Sequence, residues 1–114
     1  MLNPKPGEIW LVRFPFSDLT STKVRPALVL ATHRQDVIIL GIFSKVPSTT
    51  PEKMWVLIDD RESYFTQTGL AKTSILRAEK IATAHQSTFQ RPLGKIPNEL
   101  QSRITTALQQ ALNL

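Results

Sequence analysis

The chain has 114 residues, 41% of them hydrophobic and 20% charged, which fits one domain spanning 1–114 that is globular rather than disordered. It contains no cysteine, so disulfide scaffolds, cysteine nucleophiles and thiolate metal sites are excluded. Fourteen Lys+Arg against nine Asp+Glu give a net charge of +5, which favours a polyanionic partner, nucleic acid being the commonest.

In chain order, the first apolar run is IWLVRF at 9–14, read as a strand. A polar stretch, SDLTSTK at 17–23, follows and reads as an exposed connecting loop. ALVLA at 27–31 and VIILGIF at 37–43 are the second and third strands, and the short polar segment 32–36 makes them a hairpin. MWVLI at 54–58 is a fourth strand, and 74–76, continuing as far as 81, a fifth. A short helical turn is expected at 61–65. The eight prolines are expected outside strand interiors, where the missing N–H breaks no ladder. At the end of the chain the period changes: Leu100, Ile104, Ala107, Leu108 and Ala111 recur at helical spacing, with Pro97 suited to the first turn. The class expected is mainly β, a small barrel or sandwich carrying one C-terminal helix. No apolar run is long enough for a membrane span and the opening MLNPKPGE has no apolar signal region, so a soluble cytoplasmic protein is expected.

Metal chemistry finds little support, because His33 and His85 are distant in sequence and Asp59 and Asp60 would face opposite ways on a strand. Two arginines stand out. Arg25 precedes Pro26, which pushes its backbone toward extended geometry beside the polar loop. Its planar guanidinium can grip a phosphate through two parallel hydrogen bonds, or it is a surface arginine flanking a strand. Arg77 and Glu79 are two residues apart and share a face if extended. They are either a proton-transfer pair or a salt bridge, the latter worth under about 1 kcal/mol if exposed. Trp10, Trp55 and the phenylalanines could stack on bases, but their place inside apolar strands assigns most of them to the core.

Taken together, GEIWLVRFPF, KVRPALVLA, GLAKTSILRAEKIAT, a Leu-Gly turn and a terminal helix resemble the MazF/PemK family, the toxin halves of prokaryotic toxin–antitoxin pairs. The resemblance runs from Gly7 to Leu112. It implies an SH3-like β-barrel forming a homodimer, and a sequence-specific endoribonuclease that cuts single-stranded mRNA without metal or cofactor and so inhibits growth. It also implies a cognate antitoxin, with which the toxin binds operator DNA. By position, Arg25 matches the arginine of the family's Arg-Pro motif, and Arg77 and Glu79 match an arginine and an acidic residue used as a catalytic pair. The family usually carries a threonine after its third strand; here Phe43 stands in that place and Ser44 follows. Ser44 can supply the hydroxyl only if the strand is bulged or shifted by one.

The mechanism so implied is attack of a 2′-hydroxyl on the adjacent phosphorus, giving a 2′,3′-cyclic phosphate. Glu79 is the expected base. A glutamate carboxyl of pKa ~4.3 is a weak base, so burial is expected to raise it. Arg77 or Arg25 stabilises the phosphorane charge, and one of them is the expected donor to the leaving oxygen. Lys23, Lys45, Thr20 and Ser21 are expected to hold the RNA. The alternative is a barrel that binds nucleic acid or antitoxin but has lost cleavage with the threonine. A toxin of this fold that poisons a protein target is disfavoured by the Arg-Pro and Arg-x-Glu patterns.

Overall fold

A computed structural model describes residues 3–15, 23–48 and 52–114. Among these residues six strands, β1 (Glu8–Phe14), β2 (Lys23–His33), β3 (Asp36–Phe43), β4 (Trp55–Ile58), β5 (Ser74–His85) and β6 (Phe89–Lys95), form one antiparallel sheet in the order β4-β5-β3-β2-β1-β6. A four-residue helix, α1 (Phe65–Thr68), precedes β5, and α2 (Asn98–Leu112) ends the chain. The fold is mainly β with a C-terminal helix, as expected.

Alternation along the strands divides the apolar residues between two faces. Ile9, Leu28, Leu40, Ile42, Leu76 and Ala78 face one way and pack against Leu100, Ile104 and Ala107 of α2. Their chain neighbours Trp10, Ala27, Val29, Ile39 and Phe43 face the other way. There Ala84 of β5 and Phe89 of β6 join the same cluster, although three strands separate β5 from β6 in the sheet. The sheet therefore rolls over this second face. Because β4 and β6 remain edges, the molecule is barrel-like without being a closed barrel.

Several local expectations are corrected. A sixth strand, β6, exists; its short, proline-bearing sequence FQRPLGK hides the strand signal. Pro92 is accommodated because β6 is an edge strand whose register with β1 shifts on either side of it. Pro26 likewise lies within β2, but pairing with β3 begins only at Ala27, so its missing donor leaves no gap in that ladder. The short helix lies at Phe65–Thr68 rather than 61–65, ended by Gly69 at φ 71°. Gly69 and Gly94 carry no Cβ where the backbones of α1 and β6 meet.

The expected hairpin between the second and third strands is present, with His33 opposite Asp36 and Arg34 at φ 59° in the turn. The terminal helix buries Leu100, Ile104 and Ala107 as its periodicity predicts. Pro97 caps this helix from outside instead of occupying its first turn, and its carbonyl accepts from Leu100 N–H at 3.0 Å.

Candidate active site

The site lies where the second face of the sheet opens toward β4. Strand register places its side chains. Ala27 pairs with Gly41, so the same register continued would set Arg25 opposite Phe43. Gly41 also pairs with Arg77, which puts Arg77 diagonal to Phe43, and Arg77 pairs with Trp55 on the other side. Beyond Arg77 the ladder between β5 and β3 breaks: Leu40 pairs with Ile81 while Gly41 pairs with Arg77. Ala78, Glu79 and Lys80 fall in this irregular stretch, and Ala78 N–H turns to Met54 O at 3.0 Å.

Arg77 and Glu79 share a face, as extended geometry requires. Arg77 donates to Glu79 Oε2 from Nη2 at 2.6 Å and from Nε at 2.8 Å. The indole Nε1–H of Trp55 is 3.1 Å from both Glu79 oxygens. The Arg77 guanidinium also stands over Trp55, 4.8 Å from the ring centroid, and over Phe43 at 5.4 Å. Arg25 lies over the same Phe43 ring at 5.2 Å. Burial pushes the Glu79 carboxyl upward, but the hydrogen bonds from Arg77 and Trp55 more than offset it, so the carboxyl titrates below its ordinary range. The raised value that a strong base would have is therefore not what this environment produces.

Arg25, Phe43, Ser44, Lys45, Trp55 and Arg77 line one cleft of about 360 Å³. Ser44 reaches it without any strand shift, because β3 ends at Phe43 and the chain bends away at Ser44. Lys23 is exposed at the start of β2, paired with Phe14, and does not line this cleft. Thr20 and Ser21, with the rest of the loop up to residue 22, lie outside the described residues. Trp55 is the member that sequence reasoning missed. Its signal is chemical: a half-buried indole N–H needs an acceptor, and Glu79 provides it.

His33 and His85, distant in sequence, both stand opposite Asp36 at one end of the sheet. His85 is engaged instead with Ser87 Oγ at 2.8 Å and Gln35 Oε1 at 3.2 Å. Among the described residues no group of three His, Asp or Glu side chains could hold a metal, and no helix is long and apolar enough to cross a membrane. Asp59 pairs with Arg61 at 2.8 Å, and this hydrogen bonding lowers the Asp59 carboxyl to about 2.

A carboxylate held by one guanidinium and an indole N–H thus stands beside an open cleft that a second guanidinium helps to line. The sequence pattern of PemK-like, MazF-like toxins of type II toxin–antitoxin systems matches residues 5–112, and the chain belongs to that family. No curated protein matches the sequence. Among solved structures, an endoribonuclease in complex with its cognate antitoxin from a mycobacterial species is similar at TM-score 0.72 and 21% identity, covering 98% of this chain and 97% of its own. The Mycobacterium tuberculosis toxin MazF-mt6 matches at TM-score 0.73 and 19% identity, over 94% of this chain and 97% of that one. MazF from Deinococcus radiodurans matches at 0.70 and 17%, over 97% of each. At these identities the likeness establishes the fold.

Proposed function

We propose that this toxin is an endoribonuclease that cleaves single-stranded mRNA in the cytoplasm without a metal ion. The observation that carries the reading is that Arg25 and Arg77 line one cleft, with the carboxylate of Glu79 paired to Arg77 and braced by Trp55 beside it. In this mechanism Glu79 takes the proton from a 2′-hydroxyl, the O2′–P bond forms, and the P–O5′ bond breaks in line. The products are a 2′,3′-cyclic phosphate and a 5′-hydroxyl. The lowered titration of Glu79 keeps it ionised at neutral pH, so the base is in the required form; its modest strength is offset by being held in place. Arg25 and Arg77 balance the charge on the phosphorane, and Ser44 offers a hydroxyl to the same oxygens. Water in the open cleft can protonate the leaving oxygen, so neither arginine has to lose a proton.

Lys45 at the cleft, and Lys23, Thr20 and Ser21, near Arg25 in sequence, would hold the RNA backbone. Membership of the toxin family supports a cognate antitoxin as partner, binding of operator DNA together with it, and a homodimer. The structural neighbour captured with its cognate antitoxin supports the first of these.

The test is incubation of the purified chain with a mixed-sequence RNA in excess EDTA, alongside Glu79→Gln and Arg25→Ala. Discrete cuts by the wild type, reduced ~10²–10⁴-fold in Glu79→Gln, are expected for loss of a general base. An unchanged rate in Glu79→Gln would remove Glu79 from this role. RNA bound but left uncut by the folded wild type would turn the reading into that of a non-cleaving binder.

A further inference from the structure

We infer that Phe43 is a positioning residue, whose ring holds Arg25 and Arg77 at the cleft while leaving the donors of Arg25 open to a phosphate. This rests on the nuclease reading above and goes beyond it in assigning a task to the aromatic residue.

The argument begins with charge. Arg25, Arg77 and Lys45 line one cleft, and Glu79 beside it is the one carboxylate joined to this group by an ion pair among the described residues. Arg77 uses that carboxylate: its Nε and Nη2 are both committed to Glu79 Oε2. Arg25 has no carboxylate within ion-pair distance among the described residues. The ring of Phe43 lies 5.2 Å from its guanidinium carbon.

The kind of partner decides what the arginine can do. A carboxylate holds a guanidinium by occupying two of its five N–H donors. An aromatic face attracts the cation through its quadrupole and occupies none of them. Arg25 is therefore oriented and still able to present its donor fork to a phosphate. The two guanidinium carbons, at 5.2 and 5.4 Å from the same centroid, can lie no further apart than the sum of those distances. One ring thus bounds the spacing of both cations.

Phe43 is suited to this because it does not move freely. It is only 8% exposed and belongs to the buried cluster with Ala27, Val29 and Ile39. Its anchoring in a packed core fixes the ring, and the ring fixes the arginines. Preorganisation of this kind matters most when charge develops in the transition state.

The experiment compares Phe43→Leu, Phe43→Met and Phe43→Tyr with the wild type, using an RNA oligonucleotide that the wild type cuts in EDTA. Binding of the same oligonucleotide carrying a 2′-deoxy substitution is measured in parallel. Leucine and methionine keep an apolar side chain in the core but remove the aromatic face; tyrosine keeps the face. The expected result is a loss of about tenfold or more in kcat with Leu or Met, a melting temperature near that of the wild type, and recovery to within about threefold with Tyr. In an Arg25→Ala background the Phe43→Leu change is expected to add little, because the group it positions is gone. Wild-type rates in the Leu and Met variants, equal losses in Leu and Tyr variants that are folded, or fully additive losses with Arg25→Ala would each overturn the inference. If the wild type cuts no RNA, the nuclease reading fails by itself, and binding of a mixed-sequence single-stranded RNA still judges Phe43: unchanged affinity in Phe43→Leu overturns it, and weaker binding restored by Tyr upholds it.

Discussion

The indole nitrogen of Trp55 stands 3.1 Å from both carboxylate oxygens of Glu79, while the guanidinium of Arg77 lies over the same indole. One side chain thus braces both the proposed base and its cation. The donor to Glu79 favours the ionised form, and the ring face attracts the guanidinium of Arg77. Since β4 carries Trp55 and β5 carries the pair, the site depends on an edge strand staying in register.

Replacing Trp55 by Phe keeps an aromatic face for Arg77 and removes the N–H. The carboxyl of Glu79 is then expected to titrate higher, closer to an ordinary glutamate. The acid limb of the kcat/KM profile should move to higher pH, since that limb reports the free enzyme's base. An acid limb at the wild-type position would contradict the bracing role.

Stability should depend on pH in a defined direction. Glu79 and Asp59 both titrate lower in the folded chain than their ordinary values, Asp59 falling from 3.8 to about 2. A carboxyl of this kind stabilises the fold fully above its unfolded-state pKa, and the contribution is lost as pH falls through the folded value. Urea midpoints should therefore be level near neutral pH and decline in the acid range below the ordinary carboxylate values. Asp59→Asn should make that decline shallower; an unchanged slope would count against the Asp59–Arg61 pair.

Gly69→Ala is expected to destabilise the fold by at least ~1 kcal/mol, because φ is 71° there and an L-residue is strained in that region. The new methyl would also meet the backbone of Leu93 on β6, so the true loss should exceed the strain alone. Denaturant unfolding measures it, and a neutral result would mean that α1 is not docked on β6 as described.

Leu100→Ala should cost about 2–5 kcal/mol, the range for truncating a buried leucine. Leu100 is 1% exposed and joins α2 to the cluster of Leu28, Leu40 and Leu76. A loss below 1 kcal/mol would show that the helix contributes little to the core.

Much of this arrangement could be read from the residues, and one detail shows why the rest could not. The apolar runs and the helical period announce five strands and α2, and the two-residue spacing places Arg77 and Glu79 on one face. The tight turn at Arg34 and Gln35 pairs His33 with Asp36, and that register, carried back along the hairpin, would set Arg25 opposite Ser44. A register shift between Val29 and Ala31 moves the pairing by one residue, so Arg25 comes to face Phe43. Nothing in ALVLA signals that irregularity, because either register buries apolar residues on both faces of the strand. The same blindness applies to Trp55. A tryptophan in MWVLI looks like core until the neighbouring strand brings a carboxylate to its nitrogen.

The central claim is that a 2′-hydroxyl is the nucleophile. The most direct measurement takes an RNA oligonucleotide that the wild-type chain cuts at one position in EDTA and compares it with the same oligonucleotide bearing a single 2′-deoxy nucleotide on the 5′ side of that position. Cleavage of the first to a 2′,3′-cyclic phosphate, with the second bound and intact, is the predicted result. Cutting of the 2′-deoxy substrate at the same bond would contradict the account, because no attack from within the substrate could then have occurred.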